Sequence, residues 1–133
     1  MPWPVPQITD DNRAFWTGGR QGELLIARCA HCGYYVHPPT PRCPECLRDE
    51  VEPSAVSGRG RVYTFTINRR PWVPGLEVPF ILAVVELDEQ PGLRLITNIV
   101  DCAPEEVEIG MPVEVGFVER DPAFVPVFRP AST

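Results

Sequence analysis

Cys29-Ala-His-Cys32, followed ten residues later by Cys43-Pro-Glu-Cys46, decides how the rest of the chain is read. Each Cys-x-x-Cys pair can wrap a tight knuckle around one metal ion, so that four thiolates meet at the corners of a tetrahedron. Four sulfur ligands suit Zn²⁺, with iron in a rubredoxin-like centre as the alternative. Gly33 lets the backbone turn back beneath the first pair, and Pro44 stiffens the second. One such pair is a weak signal; two at this separation are a specific one. A site closed by Cys29, Cys32, Cys43 and Cys46 keeps no position for substrate, so its expected role is structural.

Two disulfides, or four buried thiols, are the competing readings. Disulfides need an oxidising compartment, and the opening Met1-Pro-Trp-Pro-Val-Pro6 is too short and proline-rich for a signal segment. A fifth cysteine, Cys102, would be left without a partner in such a scheme. The expectation is a cytoplasmic protein with a bound metal. His31 sits inside the first knuckle and His37 just beyond it, but with four cysteines neither is needed as a ligand.

The 133 residues allow one ordinary domain or two small modules. The stretch around the cysteines is too short to bury a core of its own, and metal binding substitutes for one. No apolar run approaches the ~20 residues of a membrane span. Seventeen prolines, spread without repeats, argue for short strands and stiff loops over a helix-rich fold. All twelve basic residues are arginine, and the net charge is −6. Residues 86–121 alone hold two arginines against ten carboxylates. Such a surface repels phosphate, so nucleic acid is not the expected partner. The local exception is Arg59, Arg61, Arg69 and Arg70, which could hold phosphates or an acidic patch, or simply be solvated charge.

Along the chain, Trp3 is the one large side chain of an extended lead. Thr9-Asp10-Asp11-Asn12 offers a cap and first-turn carboxylates for a short helix over about 10–17, which Gly18-Gly19 would stop. That helix presents Phe15 and Trp16, either to its own protein or to a partner. Glu23 to Arg28 reads as a strand entering the first knuckle and Tyr34 to Val36 as one leaving it. Strand, knuckle, strand, knuckle is the arrangement of a zinc ribbon. Glu50 to Val56 reads as a linking strand. Five strands then follow: Arg61–Asn68, with Tyr63, Phe65 and Ile67 on one face; Phe80–Leu87, apolar enough to be buried on both sides; Leu93–Ile99; Val113–Val118; and Phe124–Phe128. The expectation is a mainly β protein: a short helix within an N-terminal extension (1–22), a zinc ribbon (23–49) and a five-stranded OB-fold barrel (50–133). The proline-stiffened loop Arg69–Pro79 carries Trp72, which either meets a ligand or partner or caps the barrel core.

Phe15-Trp16, Gly22 to Cys29, the two cysteine pairs with Pro38-Pro39 between them, Gly60 to Thr66, Pro79 to Leu87 and Ile109 to Val113 follow one pattern in order and spacing. Together they resemble the acyl-CoA-associated OB-fold family, in which a helix and a rubredoxin-like zinc ribbon precede an OB-fold. The resemblance implies a non-catalytic accessory subunit in a hetero-oligomer with a thiolase-superfamily enzyme, a thiolase or a retro-aldolase, steroid side-chain CoA thioesters being one substrate class. It transfers no catalytic residue. The sequence agrees: no glycine-rich phosphate loop and no nucleophile with an evident base stands out, and Cys102 lies among carboxylates, a poor setting for a reactive thiol. Two alternatives remain at this stage. One is direct acyl-CoA binding through the four arginines; the other, opposed by charge, is single-stranded nucleic-acid binding through Tyr63, Phe65 and Trp72.

Overall fold

The structure, a computed structural model, describes residues 5–72 and 74–131; Trp3 lies outside them. A five-residue helix α1 (Arg13–Thr17) leads into a 3-10 turn (Gly18–Gln21) and then eight strands. These are β1 (Leu24–Cys29), β2 (Tyr35–Val36), β3 (Val51–Val56), β4 (Arg59–Asn68), β5 (Phe80–Leu87), β6 (Arg94–Ile99), β7 (Pro112–Arg120) and β8 (Ala123–Pro130). The first three form an antiparallel sheet in the order β2-β1-β3, and the other five close a barrel in the order β4-β5-β6-β8-β7. The fold is mainly β, with the cysteine-bearing ribbon followed by the OB-like barrel, as read from the sequence.

Four local readings change. The helix begins three residues later than expected, because Asn12 Oδ1 accepts the Thr9 N–H and makes a turn where the cap was placed. The α-helix ends at Thr17 with Gly18 as its cap, as expected, but the chain does not turn away there: it tightens into the 3-10 turn, which ends at Gly22, with φ +75°. The two glycines also serve close approach. A Cβ on Gly18 would lie 2.6 Å from the Glu23 carbonyl oxygen, and one on Gly19 2.5 Å from the Phe117 ring.

The third change is in β4. Its register against β5 slips between Val62 and Thr64, so Tyr63 sits at a bulge. Val62 is therefore in the core while Tyr63, grouped with Phe65 and Ile67 by alternation, is 49% exposed. The fourth concerns β5, which is buried on one face only: Ile81, Ala83, Val85 and Leu87 point inward, whereas Leu82 is exposed. Its outer face is not covered because the barrel wall is a single sheet.

Val51–Val56, read as a link at the head of the barrel segment, pairs with β1 along its full length, from Leu24↔Val56 to Cys29↔Val51. Pro53 is tolerated there because β3 is an edge strand. The ribbon and barrel then share one core. Leu24 and Ile26 of β1 are fully buried in the same cluster as Val85, Leu95 and Phe128. Within the barrel, β6 and β8 touch through a single parallel pair, Ile99↔Phe128. Phe15 and Trp16 of α1 line the small gap that remains between those strands.

Candidate metal centre

The four cysteines converge, with all four sulfurs within 4.8 Å of one another. Cys29 Sγ lies 3.5 Å from Cys46 Sγ, and Cys32 Sγ 3.6 Å from Cys43 Sγ. None of the four is joined in a disulfide, these separations being well beyond a covalent S–S length. Zn–S bonds of about 2.3 Å in a tetrahedron would hold sulfurs about 3.8 Å apart, so the spacing fits such an ion.

The two knuckles are copies of one another, offset by fourteen positions. In the first, the Gly33 N–H donates to the Cys29 carbonyl and the Cys29 N–H to the Tyr34 carbonyl. In the second, the Leu47 N–H donates to the Cys43 carbonyl and the Cys43 N–H to the Arg48 carbonyl. The residue before each first cysteine is an arginine that clamps the end of its own turn. Arg28 Nε donates to the Gly33 carbonyl at 2.9 Å, and Arg42 Nη1 to the Leu47 carbonyl at 2.7 Å. Sequence reading missed these clamps, although Arg-Cys-x-x-Cys occurs at both 28–32 and 42–46 and is the signal for them.

The electrostatics ask for a cation. The Cys32 N–H, pointing at the Cys29 sulfur, holds that thiol down to about 7. For Cys32 the Tyr34 N–H favours the thiolate, but burial and the adjacent sulfurs, Cys43 first, push the thiol up to about 12. Cys46 is likewise raised: burial and the Cys29 sulfur outweigh the Arg48 N–H. Four thiolates this close cannot all be charged alone; a bound divalent ion removes the conflict. When bound, Zn²⁺ would supply a structural cross-link between the knuckles, held by Cys29, Cys32, Cys43 and Cys46, with no ligand position left open.

The other sequence-predicted residues scatter. His37 is turned away into the fold, its ring 4.8 Å from that of Phe15, and burial lowers its pKa. Phe15 and Trp16 meet edge to face at 4.8 Å and are partly buried by their own chain. With Pro38, Pro39 and Ile96 they line a cleft of about 460 Å³ beside β6. The four arginines do not form one group. Arg59 and Arg61 lie at the start of β4, whereas Arg69 and Arg70 follow its end, and the extended run between Arg61 and Arg69, at about 3.3 Å per residue, holds them about 25 Å apart. Arg61 donates to the Gly110 carbonyl, and Arg70 lies over Trp72. Trp72 is 70% exposed, tethered by its Nε1–H to Asn68 Oδ1, and does not cap the core. Cys102 is partly buried and its pKa is raised by burial and by Glu106, which matches an inert thiol. No helix among the described residues is long and apolar enough to cross a membrane.

Comparison with known proteins follows the same division of the chain. Residues 16–52 match "ChsH2, rubredoxin-like zinc ribbon domain" and residues 54–118 match "ChsH2, C-terminal OB-fold domain". A probable enoyl-CoA hydratase alpha subunit from Thermomonospora curvata is 43% identical over 96% of this chain, which spans only 40% of that relative's length. A DUF35 domain-containing scaffold protein from Methanocaldococcus jannaschii is 41% identical, covering 71% of this chain and 67% of its own. A chain in the solved structure of an Ltp2-ChsH2(DUF35) aldolase superposes with a TM-score of 0.84 at 44% identity, over 96% of this chain and 100% of that one.

Proposed function

The chain belongs to the ChsH2 (DUF35) family of zinc-ribbon and OB-fold proteins, and on that footing we propose that it is a non-catalytic accessory subunit of a thiolase-superfamily enzyme acting on acyl-CoA thioesters. The observation that carries this reading is the end-to-end likeness, at 44% identity, to a chain of an aldolase assembly. The site chemistry agrees with it. Among the described residues, the one cluster of metal-ligating groups is closed by four cysteines and so suits a structural ion, Zn²⁺, in a reducing compartment such as the cytoplasm.

A partner would be met by surfaces that are stiff before it arrives. Trp72 is presented by a proline-rich loop and is held by Asn68 and Arg70. Phe15 and Trp16 stand in the wall of the apolar cleft beside Ile96, itself 78% exposed. Aromatic anchors of this kind dominate the energy of interfaces. The reaction, retro-aldol or thiolytic, and the acyl chain, steroid or other, belong to the enzyme subunit. Binding of CoA phosphates by the arginines of this chain alone is disfavoured by their separation along β4.

The test is co-purification of the tagged chain from its native lysate, followed by assay of the recovered enzyme with and without it. A thiolase-superfamily enzyme recovered in stoichiometric amount, and losing activity or solubility when this chain is removed, is the expected result. Recovery of nucleic acid, or tight CoA binding by the lone chain, would overturn it.

A further inference from the structure

We propose that the aromatic cleft beside β6 is one half of a two-part groove, which takes a segment of the enzyme subunit carrying a large apolar side chain and, next to it, a basic one. The inference rests on the reading that this chain is an accessory subunit, and gives the partner a chemistry.

The apolar half is the cleft of about 460 Å³ walled by Phe15, Trp16, Pro38 and Ile96. Ile96, at 78%, is the most exposed large apolar side chain among the described residues. Exposed apolar surface in a concave wall marks a place where another surface is met. Arg94, the one arginine in that wall, is already engaged: it is bonded to Glu86 at 3.1 Å and lies 3.8 Å over the Tyr63 ring.

Phe15, His37 and Pro39 belong to this wall and also to that of an adjoining cavity of about 290 Å³. There the floor is apolar, with the half-buried Leu25 and Ala27 of β1 and Val51 of β3. The rim is acidic and exposed, with Asp10, Asp11, Asp49 and Glu52. Asp10 is paired with Arg13. No ion pair among the described residues involves the other three, and no arginine lines the cavity.

These carboxylates do not gather about a point. Among the described residues, the four cysteines are the one group placed to share an ion. The guest that suits the rim is therefore an extended cation, a lysine or arginine whose alkyl stem covers the apolar floor while its charged end meets the carboxylates. A second copy of this chain is the poorer occupant, since two molecules of net charge −6 repel each other. A partner segment with one residue for each half satisfies both: the apolar anchor supplies most of the affinity, and the charge fixes the register.

The experiment uses the full chain as purified and the enzyme subunit recovered by co-purification, with affinity measured at low and at raised salt. Binding by the parent chain is expected to weaken as salt rises. Asp11→Asn/Asp49→Asn/Glu52→Gln should bind about tenfold more weakly, with a flatter salt dependence. Ile96→Ala should also bind more weakly, but with the salt dependence of the parent. All four side chains are exposed, so both variants should keep the thermal midpoint of the parent chain. Parent binding that ignores salt, a triple variant that binds as the parent does, or an Ile96→Ala chain of unchanged affinity would overturn the proposal. So would self-association of the parent chain that the triple variant abolishes, which assigns the groove to a second copy. If no thiolase-superfamily enzyme is recovered with the parent chain, the accessory-subunit reading itself falls, and that failure is seen before any variant is made.

Discussion

Leu47 holds, at φ +65°, the position that Gly33 holds at +80° in the first knuckle. A left-handed conformation costs a residue with a Cβ roughly 1–2 kcal/mol, part of which glycine gives back as unfolded-chain entropy. The Leu47 side chain is 65% exposed, so little packing is lost on removing it. Leu47→Gly should raise stability by up to about 1 kcal/mol, read as a higher denaturant midpoint of the metal-loaded protein. His37 makes a second residue-scale case. Its Nδ1 is buried without a hydrogen-bond partner, and burial lowers its pKa. As pH falls through about 6.5 the unfolded chain takes up a proton that the folded chain refuses, so stability drops below that pH. The charged groups facing the same space are Asp10, Asp11, Asp49 and Glu52, with Arg94 on the other side. All are common to His37→Gln, which should show a shallower loss of stability between pH 6.5 and 5.

At the level of elements, the ribbon is fastened to the barrel by a side chain that imitates a strand. Gln90, in the turn between β5 and β6, accepts the Tyr35 N–H at 2.9 Å and donates to the Tyr35 carbonyl at 3.1 Å. It thereby completes the outer edge of the two-residue strand β2. Next to it, Glu89 Oε2 accepts the Ser57 N–H where the chain leaves the ribbon. Gln90→Ala removes both bonds and leaves two partly buried backbone groups unpaired, a loss of about 1–3 kcal/mol. Hydrogen exchange should show the Tyr35 amide losing protection while the β4–β5 amides keep theirs. The sequence marks Gln90-Pro-Gly92 as a turn and nothing more, because the partner of Gln90 lies 55 residues away.

For the molecule as a whole, the question is whether metal site and barrel are one cooperative unit. Leu24 and Ile26 belong to the strand that enters the first knuckle, yet they are buried among barrel residues. Exposing either costs roughly 1.5–3 kcal/mol. Stripping the metal with a chelator should therefore lower the thermal midpoint of the barrel as well as unfold the ribbon, in one transition by near- and far-UV circular dichroism. A barrel transition that stays where it was would show two independent modules.

What the sequence determined by itself was whatever is encoded within a few residues. The two knuckles are local turns built by Cys-x-x-Cys and its flanks, and the barrel strands are short alternating runs bounded by glycine and proline. These suffice for the ribbon, the barrel and the four-cysteine cluster, because neither turn chemistry nor periodicity depends on distant contacts. Tertiary structure decided what depends on pairing. Val51–Val56 joined the ribbon sheet because β1 offers it a full register. Tyr63 left the core because a bulge shifted the alternation by one. Arg59 and Arg61 were parted from Arg69 and Arg70 because a strand is extended, so residues close in sequence lie at its opposite ends.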